Sequence, residues 1–137
     1  VVMIRIQSLD HVGIRAREPQ SMIDFYCEVL GCAVEREAPD DLGLTQLRAG
    51  SALIDIVAVD GELGRCGGAP PGAGGRNMDH FCVYLENFDE PAIRAHLARC
   101  GVSAGDLEQR YGAAGYGPSI YIDDPEGNTV ELKGPAE

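Results

Sequence analysis

The sequence LDHVGI at residues 9–14 recurs as MDHFCV at residues 78–83, an offset of 69 residues (78 − 9). Gly31 and Gly101, which we expect to end two equivalent helices, repeat at nearly the same offset, 70 (101 − 31). Self-similarity at a fixed spacing indicates that one structural unit has been duplicated. The repeat therefore divides the chain into two halves of the same predicted design.

The ends of the two halves repeat with a longer offset. IDI at residues 54–56 matches VEL at residues 130–132, an offset of 76 (130 − 54). Loops absorb insertions at low free-energy cost. We therefore expect the additional residues of the second half to form a loop around 111–117.

Each half predicts a strand, a helix and three further strands, an order written βαβββ. Apolar alternation indicates strands, whereas helical spacing of apolar residues, with Pro19 at the start and Gly31 at the end, indicates the first helix. The first half predicts strands at 3–15, 32–37, 44–49 and 51–59 and a helix from 19 to about 31. The second half predicts strands at 78–86, 106–111, 118–123 and 128–133 and a helix at 89–100.

These elements predict an α+β fold in one domain covering residues 1–137. Module one spans 1–60 and module two spans 78–137. The linker between them, 61–77, contains seven glycines and two prolines, a composition typical of a connecting loop. A pseudo-two-fold arrangement of the modules would bring equivalent strands together around one cavity.

Composition excludes several classes of function. With 137 residues and 45 % apolar content, the chain can bury a core without disulfides. Its five cysteines, an odd number without a C-x-x-C pair, favour a reducing, cytoplasmic compartment. The net charge of −11 disfavours nucleic acid, and we find no apolar run typical of a membrane span or signal peptide. The expected partner is a small molecule.

Four polar residues recur at matched positions, His11 with His80 and Asp55 with Glu131. Because side chains alternate along a strand, all four should lie opposite the apolar residues that face the helices. Two imidazoles and a carboxylate can bind one divalent ion such as Zn, Fe, Ni or Mn and leave positions for substrate. Three roles are open for Asp55: a ligand, a partner of a metal-bound water, or a residue that orients another ligand.

The remaining histidine and cysteines have simpler interpretations. His96 falls inside the second predicted helix and has no counterpart in the repeat, so we expect it on the helix surface. Cys82 shares the face of His80 and is a candidate substrate contact. The other cysteines have no evident activating base and are expected to be packing residues or bystanders: Cys27, Cys32, Cys66 and Cys100.

Two further motifs, MIDFYCEVLG at residues 22–31 and YIDDPEGNTVE at residues 121–131, accompany the repeated aspartate–histidine dipeptides. Together they resemble the vicinal oxygen chelate superfamily, which includes glyoxalase I, bleomycin resistance proteins and extradiol dioxygenases. The resemblance covers nearly the whole chain outside the linker. It implies the glyoxalase/dioxygenase fold, with one divalent metal ion in an open β-sheet cavity, and a homodimer.

The motifs are most similar to those of glyoxalase I enzymes, the lactoylglutathione lyases. This resemblance implies metal ligands at His11, Asp55, His80 and Glu131. It places Arg15 against a carboxylate of a thiol co-substrate such as glutathione. It also implies proton transfer next to a carbonyl, with Glu131 as the base and Asp55 assisting. Asp55 replaces the glutamate usual in that family, which leaves the coordination number and the substrate open.

Other branches of the superfamily are alternatives. Fosfomycin-inactivating thiol transferases keep the His, His, Glu set but typically carry threonine near the position of Gly13. Extradiol dioxygenases match residues 121–131, although the histidine expected before that stretch is absent from 111–120. Tyr121 would be a hydrogen-bond donor to substrate or an aromatic packing residue. A non-catalytic drug-binding protein usually has an aromatic cavity, whereas this chain has no Trp.

Overall fold

The structure, a computed structural model, describes residues 3–136 of the chain. The chain divides between Pro70 and Pro71, inside the glycine-rich linker, into two compact units. Within the described residues each unit has one four-stranded sheet and one α-helix, arranged βαβββ along the chain. The predicted α+β class and the two modules are thereby confirmed.

The first unit builds its sheet around a parallel pair of strands. Its elements are β1 (His11–Ala16), α1 (Pro19–Glu28), β2 (Ala33–Glu37), β3 (Leu44–Ala49) and β4 (Ala52–Ala58). The sheet order is β1-β4-β3-β2, with β1 parallel to β4 and the other neighbours antiparallel. Helix α1 packs against β2, β3 and β4. The central strand β4 is therefore paired on both sides.

The second unit repeats this design. Its elements are β5 (Phe81–Tyr84), α2 (Glu90–Arg99), β6 (Glu108–Gly112), β7 (Gly115–Asp123) and β8 (Thr129–Lys133). The sheet order is β5-β8-β7-β6, with β5 parallel to β8 and the other neighbours antiparallel. Each strand of the first sheet thus has an equivalent in the second.

The helix ends follow from local sequence. Pro19 starts α1, and Gly31, with φ of 73°, follows its end in the left-handed conformation that glycine tolerates best. Asp89 caps α2 by accepting a hydrogen bond from the Ala92 amide at 3.1 Å. Both helices are ten residues long, and in residues 3–136 no helix has the length and apolar character to cross a membrane.

One face of each sheet is apolar and buried. In the first unit Ile14, Ile54 and Ile56 are at most 2 % exposed. Burial of each such side chain stabilises the fold by about 1.5–3 kcal/mol. The second unit likewise buries Ile120, Ile122, Val130 and Leu132 on β7 and β8. The alternate positions of the same strands carry the polar side chains described below.

The predicted strand at 3–15 is wrong for its first part. β1 begins at His11, and residues 3–10 are exposed and form neither helix nor strand. A strand requires a hydrogen-bonded neighbour, and β4 begins only at Ala52. The last bond along this edge is donated by the Leu53 amide to the Asp10 carbonyl, at 3.2 Å.

The predicted loop around 111–117 is a β-hairpin. Strands β6 and β7 pair as far as Gly112 and Gly115, which leaves a two-residue turn between them. Of the two hairpin strands only β7 is longer than its equivalent, with nine residues against six in β3. The linker at 61–77 contains a short 3₁₀ helix, Gly64–Gly67, and an isolated bridge between Gly72 and Gly75.

Candidate metal centre

The first unit brings His11 and Asp55 together on the polar face of its sheet. The parallel register pairs Gly13 with Asp55, so the aspartate lies two residues along from the histidine. Nε2 of His11 stands 3.8 Å from Oδ2 of Asp55. The other carboxylate oxygen, Oδ1, accepts a hydrogen bond at 3.1 Å from Nε2 of Gln46 on β3.

The second unit repeats this arrangement with His80 and Glu131. His80 directly precedes β5, and Glu131 is the middle residue of β8. Nε2 of His80 stands 3.3 Å from Oε1 of Glu131. The other oxygen, Oε2, accepts a hydrogen bond at 2.9 Å from the hydroxyl of Ser119 on β7. We call these the first pair (His11 and Asp55) and the second pair (His80 and Glu131).

Each histidine is also hydrogen-bonded to the aspartate that precedes it. Nδ1 of His11 lies 2.7 Å from Asp10 Oδ1, and Nδ1 of His80 lies 2.5 Å from Asp79 Oδ2. An ionised carboxylate only accepts, so Nδ1 of each histidine carries the proton of this bond, and Nε2 is the nitrogen that could bind a metal ion. The hydrogen bond to Asp10, aided by the charge of Asp55, raises the pKa of His11.

Each pair supplies one imidazole and one carboxylate, which are donors of the kind that divalent metal ions accept. Asp55 is 7 % exposed and Glu131 is 6 % exposed, and burial of a carboxylate is costly unless a partner compensates its charge. Two ligands that each lie about 2.1 Å from a metal stand roughly 3.0–3.5 Å apart. The separation of 3.3 Å in the second pair lies within that range, and that of 3.8 Å in the first is slightly wider.

The four predicted ligands occur as two pairs, one in each unit. Within residues 3–136, no three His, Cys, Asp or Glu side chains form a group that could hold a metal ion. The structure therefore shows the pairing of His11 with Asp55 and of His80 with Glu131.

The family follows from comparison with known proteins. A family model described as the Glyoxalase/Bleomycin resistance protein/Dioxygenase superfamily matches residues 8–132. The chain belongs to this superfamily. The superfamily contains enzymes such as lactoylglutathione lyase as well as non-catalytic members.

Solved structures of similar fold include characterised and uncharacterised proteins. A mobile-metagenome protein of V. Pseudocholerae is 22 % identical, with 99 % of this chain and 100 % of that chain covered and a TM-score of 0.78. A lactoylglutathione lyase from Agrobacterium tumefaciens is 19 % identical, with 95 % of this chain and 95 % of that chain covered and a TM-score of 0.69. The fosfomycin resistance protein FosX from Mesorhizobium loti is 15 % identical, with 96 % of this chain and 95 % of that chain covered and a TM-score of 0.67. These likenesses show the glyoxalase-type fold.

Tyr121 lies beside the second pair, His80 and Glu131. Its register partner is Glu131, and its ring meets the His80 ring edge-on at 5.4 Å between centroids. The Arg110 guanidinium carbon stands 4.1 Å from the Tyr121 ring centroid, in cation–π geometry. Burial, reinforced by the charge of Glu131, raises the pKa of Tyr121. The hydroxyl therefore keeps its proton and can donate it in a hydrogen bond.

Cys82, on β5, is the register partner of Glu131 on the opposite side from Tyr121. Burial, with the nearby charge of Glu131, raises the pKa of this thiol to about 11. A neutral thiol is a poor nucleophile. Cys82 is thus an uncharged group beside Glu131, and its contact with a substrate stays a prediction.

Arg15 holds the end of the linker's 3₁₀ helix. Its Nη1 donates to the carbonyls of Gly67 and Ala69 at 3.0 and 3.1 Å, and its Nη2 donates to the Gly68 carbonyl at 2.7 Å. A Cβ on Gly67 would lie 2.5 Å from Arg15 Nε. Arg15 therefore has a structural role, whereas its expected contact with a glutathione carboxylate stays a prediction.

His96 belongs to a helix of the second unit. It is on α2, where its Nε2 stands 3.8 Å from Sγ of Cys100 one helical turn away. The cysteines of residues 3–136 are free thiols. Burial raises the pKa of Cys32 to about 11, which agrees with a packing role.

Sequence reasoning missed the residues that support the two pairs. The sequence contains a signal for Asp10 and Asp79, because both belong to the repeated aspartate–histidine dipeptides. It contains no signal for Gln46 and Ser119, because their roles depend on how neighbouring strands are aligned. In the first sheet the strand register places Gln46 opposite Asp55. At the equivalent position of the second sheet, Tyr121 lies opposite Glu131.

Proposed function

We propose that this chain is a divalent-metal-dependent lyase or isomerase of the glyoxalase kind. Its substrate is a small molecule with vicinal oxygens, such as the hemithioacetal of a thiol. His11, His80 and Glu131 bind one metal ion, with Asp55 as fourth ligand. The observation that carries this proposal is the repeated aspartate–histidine–carboxylate arrangement, which leaves one Nε2 and one carboxylate oxygen facing each other in each unit.

The chain's own side chains supply the proton chemistry. The bound metal contributes electrostatic stabilisation of negative charge that develops on the substrate oxygens. Glu131 removes a proton from the carbon next to the carbonyl and returns it to the neighbouring carbon. Ser119 holds Oε2 of Glu131, which fixes the orientation of the carboxylate. Tyr121 donates a hydrogen bond to the substrate, and Asp55 assists the transfer.

Glu131→Gln tests the proposed double role of Glu131 as metal ligand and base. Removal of a general base costs about 10²–10⁴-fold in rate, so we expect kcat/KM for the methylglyoxal–glutathione hemithioacetal to fall by at least 100-fold. The matched control is Glu62→Gln, the same change at an exposed linker residue, which should leave turnover unchanged. Circular dichroism verifies that both variants fold.

Metal analysis of the purified, reconstituted protein separates enzyme from binding protein. The proposal requires about one equivalent of metal per chain, whereas less than a tenth of an equivalent would refute it. Fosfomycin with a thiol, and catechols with Fe(II), are assayed in parallel. Turnover of either of these without turnover of the hemithioacetal would overturn the lyase assignment while leaving the metal site in place.

A further inference from the structure

A hydrogen-bond network leads from an arginine to the carboxylate of the second pair. Nη1 of Arg110, on β6, donates to the Ser119 hydroxyl oxygen at 3.0 Å and to the Ser119 carbonyl at 3.1 Å. The hydroxyl in turn donates to Oε2 of Glu131 at 2.9 Å. We call Arg110, Ser119 and Glu131 the second network. It connects the edge strand β6 through β7 to the inner strand β8.

The first unit contains an equivalent network at its own carboxylate. Nη1 of Arg36, on β2, donates to Oε1 of Gln46 at 3.2 Å, and Nε2 of Gln46 donates to Oδ1 of Asp55 at 3.1 Å. We call Arg36, Gln46 and Asp55 the first network. In both units an arginine of the edge strand β2 or β6 reaches the carboxylate of the pair through one neutral side chain. The network is therefore part of the duplicated design, although the neutral side chain differs between the units.

Charge determines the direction of the hydrogen bonds in the second network. A guanidinium only donates, so the Ser119 hydroxyl oxygen accepts from Arg110 and its single proton is left for Glu131. Hydrogen bonds with a charged partner are about twice as strong as neutral ones. Arg110 therefore keeps the hydroxyl turned towards Oε2 of Glu131, and Oε1 is the oxygen that faces Nε2 of His80 at 3.3 Å.

Arg110 is itself held in place on two sides. Its guanidinium carbon lies 4.1 Å from the centroid of the Tyr121 ring, and its Nη2 lies 3.6 Å from Oε2 of Glu108. Ser119 and Tyr121 are two residues apart on β7, so their side chains point to the same face of the sheet. Tyr121 is also the register partner of Glu131. Arg110 thus contacts two side chains that adjoin this carboxylate.

Burial makes the second network the stronger of the two. Ser119 is 0 % exposed and Arg110 is half-buried, whereas Arg36 is exposed and Gln46 is half-buried. Water competes for the donors of an exposed arginine, so the net gain from its hydrogen bond is small. A low local dielectric strengthens hydrogen bonds between buried groups. Removal of Arg110 should therefore disturb its carboxylate more than removal of Arg36 disturbs the carboxylate of the first network.

We propose that Arg110 is a positioning residue that acts through Ser119 to hold the Glu131 carboxylate in one orientation. Arg36 is its weaker counterpart at Asp55. The orientation is a property of the metal-free chain, whereas its purpose, the presentation of Oε1 to a metal ion, rests on the proposed function.

Side-chain NMR of the metal-free protein tests the orientation directly. Three-bond couplings should show one Glu131 conformation in the wild type and averaging over several in Arg110→Met and in Ser119→Ala. Arg110→Lys, which keeps a charged donor, should restore part of the order. The matched control is Arg94→Met on α2, because Arg94 also pairs with a carboxylate and donates to a backbone carbonyl. A single Glu131 conformation in Arg110→Met, or averaging in Arg94→Met as well, would overturn the proposal.

A double-mutant cycle on Zn²⁺ affinity, measured by chelator competition, tests whether Arg110 acts through Ser119. Residues that orient a metal ligand contribute about 10–100-fold to affinity, so we expect Arg110→Met and Ser119→Ala each to weaken binding within that range. The double variant should bind no more weakly than Ser119→Ala alone, because residues of one network do not act additively. Arg36→Met should weaken binding less than Arg110→Met does.

The sign of the Arg110→Met effect separates positioning from charge. If Arg110 acted on the site only through its charge, its removal would strengthen Zn²⁺ binding, because a nearby cation repels the ion. Stronger binding by Arg110→Met, or additive losses in the double variant, would overturn the proposal. If the wild type binds no Zn²⁺, the proposed function fails, and the Glu131 couplings of the metal-free protein still decide the positioning role.

Discussion

Asp79 determines which nitrogen of His80 is available as a ligand. Its carboxylate accepts from Nδ1 at 2.5 Å, while Nε2 faces Glu131 at 3.3 Å. Carboxylates that hold a metal-binding histidine typically contribute 10–100-fold to metal affinity. We therefore expect Asp79→Ala to weaken metal binding by roughly that factor in chelator competition. Asp79→Asn keeps an accepting oxygen but loses the charge, so its metal affinity should lie between that of the wild type and that of Asp79→Ala.

The control for this prediction changes the same charge elsewhere in the second unit. Asp106→Asn replaces an exposed aspartate and should leave the metal affinity unchanged. If Asp79→Ala and Asp106→Asn have the same affinity as the wild type, the aspartate does not position His80. A general electrostatic contribution would instead weaken both variants equally.

At the level of single residues, the sequence predicted the strand face of four polar residues but not which of them are neighbours. The repeat and strand alternation predicted His11, Asp55, His80 and Glu131 opposite the helix-covered faces, and the structure places His11 beside Asp55 and His80 beside Glu131. Ser119 could not be assigned, because its bond to Glu131 depends on the alignment of β7 with β8. Alternation gives the face of a residue, whereas only register gives its neighbour.

The contact between β1 and the 3₁₀ helix depends on a glycine. Arg15 reaches three successive carbonyls only if Gly67 has no side chain, because a Cβ there would meet Arg15 Nε at 2.5 Å. Gly67→Ala should therefore displace the guanidinium, and the loss of its hydrogen bonds to these carbonyls should lower the free energy of unfolding by about 1 kcal/mol. Urea denaturation measures this change, and limited proteolysis should cleave near residues 64–69 faster than in the wild type.

Gly74→Ala is the matched control for this element. A Cβ at Gly74 would have no heavy atom within 4 Å, so the same substitution in the same linker should change the unfolding free energy little. Equal stability of the two variants would show that the Arg15 contacts do not stabilise this part of the chain.

Elements were predictable where local chemistry determines them and not where a partner strand does. As expected, Pro19 begins α1 and Gly31 follows its end, because proline and glycine act through their own backbone conformations. Residues 3–10 have the alternation of a strand, but β4 offers no backbone beside them. The hairpin that pairs Gly112 with Gly115 was expected as a loop, because the offset between the two halves gives the number of additional residues and not the elements that contain them.

At the scale of the whole chain, duplication gives each unit the same sheet order and the same pair of groups. Neither unit contains a set of three ligands among residues 3–136, and a pair alone binds transition metals weakly. One equivalent of metal per chain would mean that both pairs contribute to one ion, whereas two equivalents would mean that each pair binds separately. The number of metal ions per chain therefore tests whether the two repeated pairs share one ion or bind one each.

Metal removal should lower the stability of the whole molecule, because a ligand that binds only the folded chain stabilises it by mass action. At a free metal concentration about 100 times the Kd this stabilisation is about 2.7 kcal/mol. For a chain of this size we expect Tm to rise by roughly 5–10 °C when metal is added to the stripped protein. Differential scanning calorimetry with and without a chelator measures the shift. In Glu131→Gln the shift should be much smaller, because this substitution removes a negatively charged ligand. A wild-type Tm that is the same in both conditions would contradict metal binding by the folded chain, whatever activity the enzyme assays record.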